Sequence, residues 1–457
     1  MAFTKTARFC GYFWRHIKPQ NMLKKTFTFS LLLLAFTTNA QKVAFTEYDL
    51  SNGLHVVLHQ DKSAPVVAVS VMYHVGSKDE NPERTGFAHF FEHLLFEGSK
   101  NIKRGEFMKL VSQNGGQNNA NTTQDRTFYY EVFPSNQLET GLWLESERMM
   151  HPVINEIGVK TQNEVVKEEK RMRYDNRPYG KFLAEVMGRL FSKHPYKWPA
   201  IGSMAHLDSA KLEEFIAFNK KYYTPTNAVL VIAGDIDIAK TKQLVEAYFA
   251  EVPAGQKPER VSIKEDPITS EIIDTTYDNN IQLPAIITAY RTPGVTDKES
   301  LALGLASDVL SQGASSRMYK KMVDVKKNSL QVSAFNYTLE DYGAYITLAL
   351  PSGSVSLDTL LKDMDEEIVK LQTDLISEDE FNKIMNQREN DYVGKNARMI
   401  GVAENLAIGY TFHHKNTNHI NQEMDEIRKI TREDIRQVAR KYLNRNQRLV
   451  LYYLPKK

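Results

Sequence analysis

Apolar residues along this chain change their period several times, and each change marks an element. "GLHVVLHQ" (53–60) and "APVVAVSVMYHVG" (64–76) are rich in β-branched residues and predict two strands separated by a turn. "FAHFFEHLLFEG" (87–98) is apolar on nearly all sides at helical spacing, and Gly98 stands where a helix stop is expected. "NGGQNNANTTQDRTFYYEVFP" (114–134) reads as a loop leading into a strand. Helices follow over about 137–150 and about 158–173, ahead of the turn "DNRPYG". "KLEEFIAFNKKYYTPTNAVLVIAGDID" (211–237) predicts a helix, a proline-containing turn and a strand.

The polar stretch 252–271 contains three prolines and predicts a linker, and the pattern beyond it repeats the pattern before it. "KKYYTPTNAVLVIAG" has its counterpart in "RKYLNRNQRLVLYYL", with Lys221-Tyr222 on Lys441-Tyr442 at an offset of 220. "AIITAYRTPGVTDKESLALGLASDVLSQG" likewise repeats the strand, loop and helix order of "AVSVMYHVGSKDENPERTGFAHFFEHLLFEG". The expectation is an α+β fold of two homologous domains, each a mostly antiparallel sheet packed with helices. They would face one another across a cleft as half of a clamshell. Domain limits of 41–255 and 271–457, with a linker over 256–270, follow from these patterns.

Residues 22–40, "MLKKTFTFSLLLLAFTTNA", read as a secretory signal: two lysines, an apolar run of about ten residues, and small residues up to Ala40. That run is half the roughly 20 residues a spanning helix needs. Residues 1–21 then form a non-native extension, with translation expected from Met22 and an exported protein, periplasmic or secreted, beginning at Gln41. The lone cysteine, Cys10, falls in the part removed, which excludes disulfides and thiolate chemistry from the mature chain. Without the first 40 residues the chain has 52 basic against 56 acidic side chains, so no basic excess points to nucleic acid. No later apolar segment is long enough for a membrane span.

Buried ionisable groups must be paired or bound to metal, so His89, Glu92 and His93 inside "FAHFFEHLLFEG" stand out. His89 and His93 are i and i+4 and project from one helix face, with Glu92 beside them. Two neutral imidazoles one turn apart suit zinc, and a neighbouring carboxylate suits proton transfer. A catalytic zinc needs a third protein ligand. In "QNEVVKEEKRM", Glu169 shares its helical face with Val165, Val166 and Met172, whereas Glu168 lines up with Glu164 and Arg171. Glu169 is therefore the inward carboxylate and the best candidate.

"HFFEH", followed 76 residues beyond His93 by the second glutamate of "VVKEE", resembles the pitrilysin-type inverzincin metallopeptidases. The likeness is closest to the branch of mitochondrial processing peptidase and the short bacterial two-subunit relatives. "NGLHVVL", "GGQNNANTTQDRTFYY" and the repeated second half extend it over the mature chain. It implies one Zn2+ per chain held by His89, His93 and Glu169, with Glu92 as general base. It also implies peptide binding along a strand edge at Asn119 and Ala120.

Two departures from the family pattern matter. Relatives carry a supporting glutamate where this chain has Gln162, which adds no charge and predicts weaker metal binding or a lower rate. Relatives also hold substrate with an arginine and tyrosine in the second half; here "DYGAYITLALPSGS" has Tyr345 at the arginine position and no tyrosine after it. The implied function is a zinc-dependent endopeptidase acting on peptides or unfolded segments outside the cytoplasm. It would work as a heterodimer with a related subunit that carries the clamp, a homodimer being the other arrangement. The competing class is a non-catalytic binding or assembly subunit. His194 before a proline reads as structural, adjacent His413 and His414 as surface residues, and no G-x-S-x-G supports a serine hydrolase.

Overall fold

The computed structural model describes residues 42–456, so the expected extension, the leader over 22–40 and Cys10 lie outside the described residues. The β-branched runs form strands as read. The first sheet holds β1 (Thr46–Asp49), β2 (His55–Gln60), β3 (Val66–Tyr73), β4 (Gln117–Thr122), β5 (Thr127–Pro134) and β6 (Ala228–Gly234), in the order β1-β2-β6-β3-β5-β4. The second holds β7 (Ile272–Asp278), β8 (Ala285–Pro293), β9 (Ser329–Thr338), β10 (Tyr342–Pro351) and β11 (Arg448–Pro455), in the order β7-β11-β8-β10-β9. Without β1 the two orders match strand for strand. Each has a single parallel pair at the same place, β2 with β6 and β7 with β11, and is otherwise antiparallel. The fold is α+β with two homologous halves.

The helices repeat as well. The first half contributes α1 (Phe87–Leu94), α2 (Leu138–Met150), α3 (Glu156–Lys170), α4 (Phe182–Leu190) and α5 (Leu212–Tyr222). The second contributes α6 (Lys298–Ser311), α7 (Glu378–Asn396), α8 (Met399–Phe412) and α9 (Arg432–Tyr442). α5 and α9 begin 220 residues apart, as do β6 and β11. Side chains start several of these helices: Asn155 caps α3, and Ser377 with Glu380 and Thr431 with Asp434 form capping boxes on α7 and α9.

Each sheet packs one face on helices of its own half. On its other face the halves exchange helices. α8 of the second half lays Val402, Ala403, Leu406 and Ala407 on Val57, Met72 and Val231 of the first sheet. Reciprocally, α4 lays Val186, Met187 and Leu190 on Ile287, Leu449 and Leu451 of the second sheet. The halves are therefore interleaved through two shared cores. The burial of a repeated apolar helix does not say which copy of the sheet it covers.

Three local features refine the picture. The segment 117–122, loop by its pattern but a strand edge at Asn119 and Ala120 by the family resemblance, is the edge strand β4; its "QNNANT" has low strand propensity and is held by pairing with β5. The strands β2 and β3 are not neighbours, because β6 lies between them. Residues 253–269 carry neither helix nor strand, yet they are pinned: Glu265 Oε1 accepts from the N–H groups of Lys193 and His194 at 2.6 Å each.

Candidate metal centre

Local packing fixes α1 before any chemistry is considered. Glu80 accepts from the N–H groups of Gly86 and Ala88 at 2.8 Å each, satisfying two donors at the helix start. Gly86 has φ 101°, a left-handed conformation that glycine adopts without strain. Tyr129 and Tyr223 donate their hydroxyls to the carbonyls of Phe91 and Ala88 at 2.8 and 3.3 Å. Phe87 stacks on Phe215 with ring centroids 4.5 Å apart, and Phe90, Phe91 and Leu94 are buried beside them. With its apolar residues fixed in the core, α1 presents His89, Glu92 and His93 along its remaining face.

α3 lies against α1 with opposite direction, since Gly158 adjoins Leu94 while Glu169 meets the two histidines. Glu169 Oε2 is 2.9 Å from His93 Nε2 and 3.6 Å from His89 Nε2. One donor atom from each of the three residues lies within 4.8 Å of the others. Burial alone would push the Glu169 carboxyl up, but its hydrogen bonds and charge interactions with the two imidazoles outweigh that and hold it well below the usual carboxylate range. Its second oxygen, Oε1, receives Arg173 Nη1 at 2.7 Å, leaving Oε2 for the histidines. Glu92 Oε2 accepts from Thr122 Oγ1 at 2.7 Å, so the carboxylate beside the histidines is tied to the edge strand β4.

Two imidazoles and one carboxylate match the donor types and number of a zinc site with an open position. The arrangement opens on a cavity of about 520 Å³ lined by His89, Glu92, His93, Asn119, Ala120 and Glu169. β4 ends its sheet and pairs only with β5, so its outer edge faces this cavity unpaired. On that strand the Ala120 N–H donates to Asn119 Oδ1 at 2.9 Å.

The inward reading of Glu169 agrees with its place here, but part of the reasoning for it does not. Val166 is fully buried, whereas Val165 and Met172 are exposed, so Val166 and Gln162 mark the inner face of α3. Glu168 pairs with Arg171 at 2.9 Å on the outer face, as expected. Gln162 Nε2 donates to Glu97 Oε1. Tyr345 is fully buried against α6, near Tyr290, so that strand position points into the core; an arginine aligned there would be in the core rather than in a cleft. His194 is structural, 3.4 Å from Asp341 across the junction of the halves. His413 is half-buried and stacks on His419 at 3.5 Å, where the sequence suggested a surface residue. Thr122, Arg173 and Glu97 escaped the sequence reading. Arg173 at i+4 from Glu169 was a readable helical pair; Thr122 lay in a segment read as loop and carried no signal.

Comparison with known proteins bears on what this geometry is for. Residues 55–199 match the family described as insulinase (peptidase family M16), and residues 209–388 match the peptidase M16 inactive domain. The zinc protease PqqE of Helicobacter pylori is 30% identical over 75% of this chain and 78% of its own. The chain belongs to the M16 peptidase family. The uncharacterized zinc protease YmxG of Bacillus subtilis is 24% identical over 88% of this chain and 97% of its own. A crystal structure of a Helicobacter pylori protease superimposes with a TM-score of 0.82 at 27% identity, covering 90% of this chain and 99% of that one. The periplasmic protease PqqL of Escherichia coli shares the fold at TM-score 0.74 and 17% identity; the chain covers 48% of it. All four candidate residues fall in the part matched to the peptidase family, and none in the part matched to the inactive domain.

Proposed function

We propose that this M16 family member is a zinc-dependent endopeptidase that cleaves peptides or unfolded segments. The carrying observation is the convergence of His89 Nε2, His93 Nε2 and Glu169 Oε2, with Glu92 between that cluster and the open edge of β4. His89, His93 and Glu169 would hold the zinc. Bound there, the ion would polarise the scissile carbonyl and make a water acidic enough to lose a proton near neutral pH. Glu92 takes that proton and delivers it to the leaving amine, held in place for both transfers by Thr122. The β4 edge aligns an extended substrate as an added strand, with the Ala120 N–H exchanging Asn119 Oδ1 for a substrate carbonyl. Arg173 keeps Glu169 turned to the histidines. The test is Glu92→Gln, expected to keep zinc while hydrolysis of a quenched peptide library falls by about 10²–10⁴-fold. Normal turnover in that variant would remove Glu92 from the reaction.

The signal-like residues 22–40 support export, with domains at 41–255 and 271–457 in the mature chain. A partner subunit is also part of the reading. The E. coli protease that shares the fold is about twice as long as the region it matches, so two such units in one working assembly have a parallel. Holding the scissile bond against the nucleophile needs more than one strand edge. A related subunit supplying the second grip should raise kcat/KM by orders of magnitude when added to this chain. Full activity of the chain alone would favour a homodimer or monomer. The non-catalytic alternative rests on Gln162, and zinc content with peptide turnover separates the two.

A further inference from the structure

A second polar pair occupies the α1–α3 seam just past the end of α1, two helical turns along α3 from Glu169. Glu97 stands four residues after His93, and Gln162 seven residues before Glu169 on the same face of α3. Gln162 Nε2 donates to Glu97 Oε1, and Arg104 Nε pairs with Glu97 Oε2. The Glu97 side chain is only 11% exposed. A carboxylate can only accept, so it must take the NH2 edge of the amide; the Gln162 Oε1 edge is then turned away from it, and that oxygen is buried without a protein partner. The same seam contains another orphan: His89 Nδ1, buried and unpartnered while its Nε2 edge faces Glu169.

Buried polar atoms without partners are uncommon, and a ligand imidazole needs an acceptor for its second N–H to hold its tautomer and raise its basicity. Gln162 by itself brings an acceptor but no charge. Glu97 brings the charge but is not on the helix that carries Glu169. Together they make one hydrogen-bonded unit with the carboxylate on the α1 side of the seam and the amide on the α3 side. We propose that Glu97 is a positioning residue of the metal centre, its carboxylate acting through the Gln162 amide to supply, at the seam beside the candidate ligands, the negative charge that position 162 lacks. This rests on the zinc-peptidase reading. It reverses the expectation that Gln162 weakens the site.

The experiment measures zinc affinity of the purified full chain by competition with a chelator, which requires no turnover. Glu97→Gln should weaken zinc binding by about 10–100-fold, the usual cost of losing such an outer partner. The double change Glu97→Gln with Gln162→Glu moves the carboxylate across the same hydrogen bond and should recover affinity to within about threefold of the starting chain. Both variants lose the Arg104 pairing equally, so recovery separates charge at the site from local packing. An unchanged affinity in Glu97→Gln, or a double variant as weak as the single one, overturns the proposal. Absence of zinc binding by the unaltered chain overturns the zinc-peptidase reading, and this proposal with it.

Discussion

The seam between α1 and α3 and the seam between α6 and α7 occupy the same place in their halves and hold different polar groups. Aligned on the left-handed glycines Gly98 and Gly313, His89 falls on Gly304, Glu92 on Ser307 and His93 on Asp308. In the first seam two imidazoles and a carboxylate converge. In the second, Arg388 of α7 donates from Nε to Asp308 Oδ2 at 2.6 Å. Gly304 makes room for it, since a Cβ there would stand 3.2 Å from the guanidinium. An ion pair closes the seam that in the other half gathers two imidazoles and a carboxylate. The helix pair is thus an architectural constant, and two or three side chains on it decide what it does.

The largest expected effect tests that contrast directly. His89→Ala should abolish both zinc binding and hydrolysis, read by elemental analysis and peptide turnover. Arg388→Leu should leave zinc content unchanged and cost about 1–3 kcal/mol in urea unfolding, because it strands the Asp308 carboxylate. Zinc loss in the Arg388 variant would mean that the second seam supports the first, and the contrast would fail.

The exchanged helices come next. Leu406 of α8 is fully buried on the first sheet, so Leu406→Ala should cost about 2–5 kcal/mol. Met187→Ala on α4 should fall in the same range if the two crossings are equivalent. A cost below about 1 kcal/mol at one crossing alone would show that only the other holds the halves together.

A smaller effect concerns the junction of the halves under acid. His74 and Lys78 of the first half contact Glu340 Oε2 of the second at 2.7 and 2.6 Å. Burial raises the Glu340 carboxyl, but its hydrogen bond and charge interaction with His74, together with Lys78, bring it down from 4.5 to about 2. A depressed carboxylate contributes stability that is fully present above the unfolded value near 4.5 and is lost as pH falls through about 2. Between those limits the chain should lose about 1–3 kcal/mol that Glu340→Gln does not lose. Parallel acid curves for the two proteins would take this contact out of the account.

Much of this could be read from local sequence. The strands β2, β3, β5 and β6 follow their β-branched runs, and the repeat of "KKYYTPTNAVLVIAG" foretold the matching of α5–β6 with α9–β11. The strand β4 could not be read from propensity, and only the family resemblance set a strand edge at Asn119 and Ala120, because asparagine-rich segments become strands only when a neighbour such as β5 supplies the ladder. Tyr345 shows the opposite limit: the resemblance sets it where relatives hold substrate with an arginine, and the pleat turns it inward.

The order His89-x-x-Glu92-His93 by itself determined that two imidazoles and a carboxylate would share a helix face, because helical spacing is a property of the backbone alone. Tertiary structure decided which carboxylate faces them, how Arg173 and Thr122 orient the acids, and that Gln162 meets Glu97. It also decided the fate of Arg148, Glu131 and Glu145, whose side chains are fully buried and paired, with the Arg148 guanidinium over the rings of Phe96, Phe107 and Tyr129 and no periodic signal to announce it. Such outcomes depend on contacts between segments far apart in sequence, and the burial and pairing of a charge are set by those contacts rather than by its neighbours along the chain.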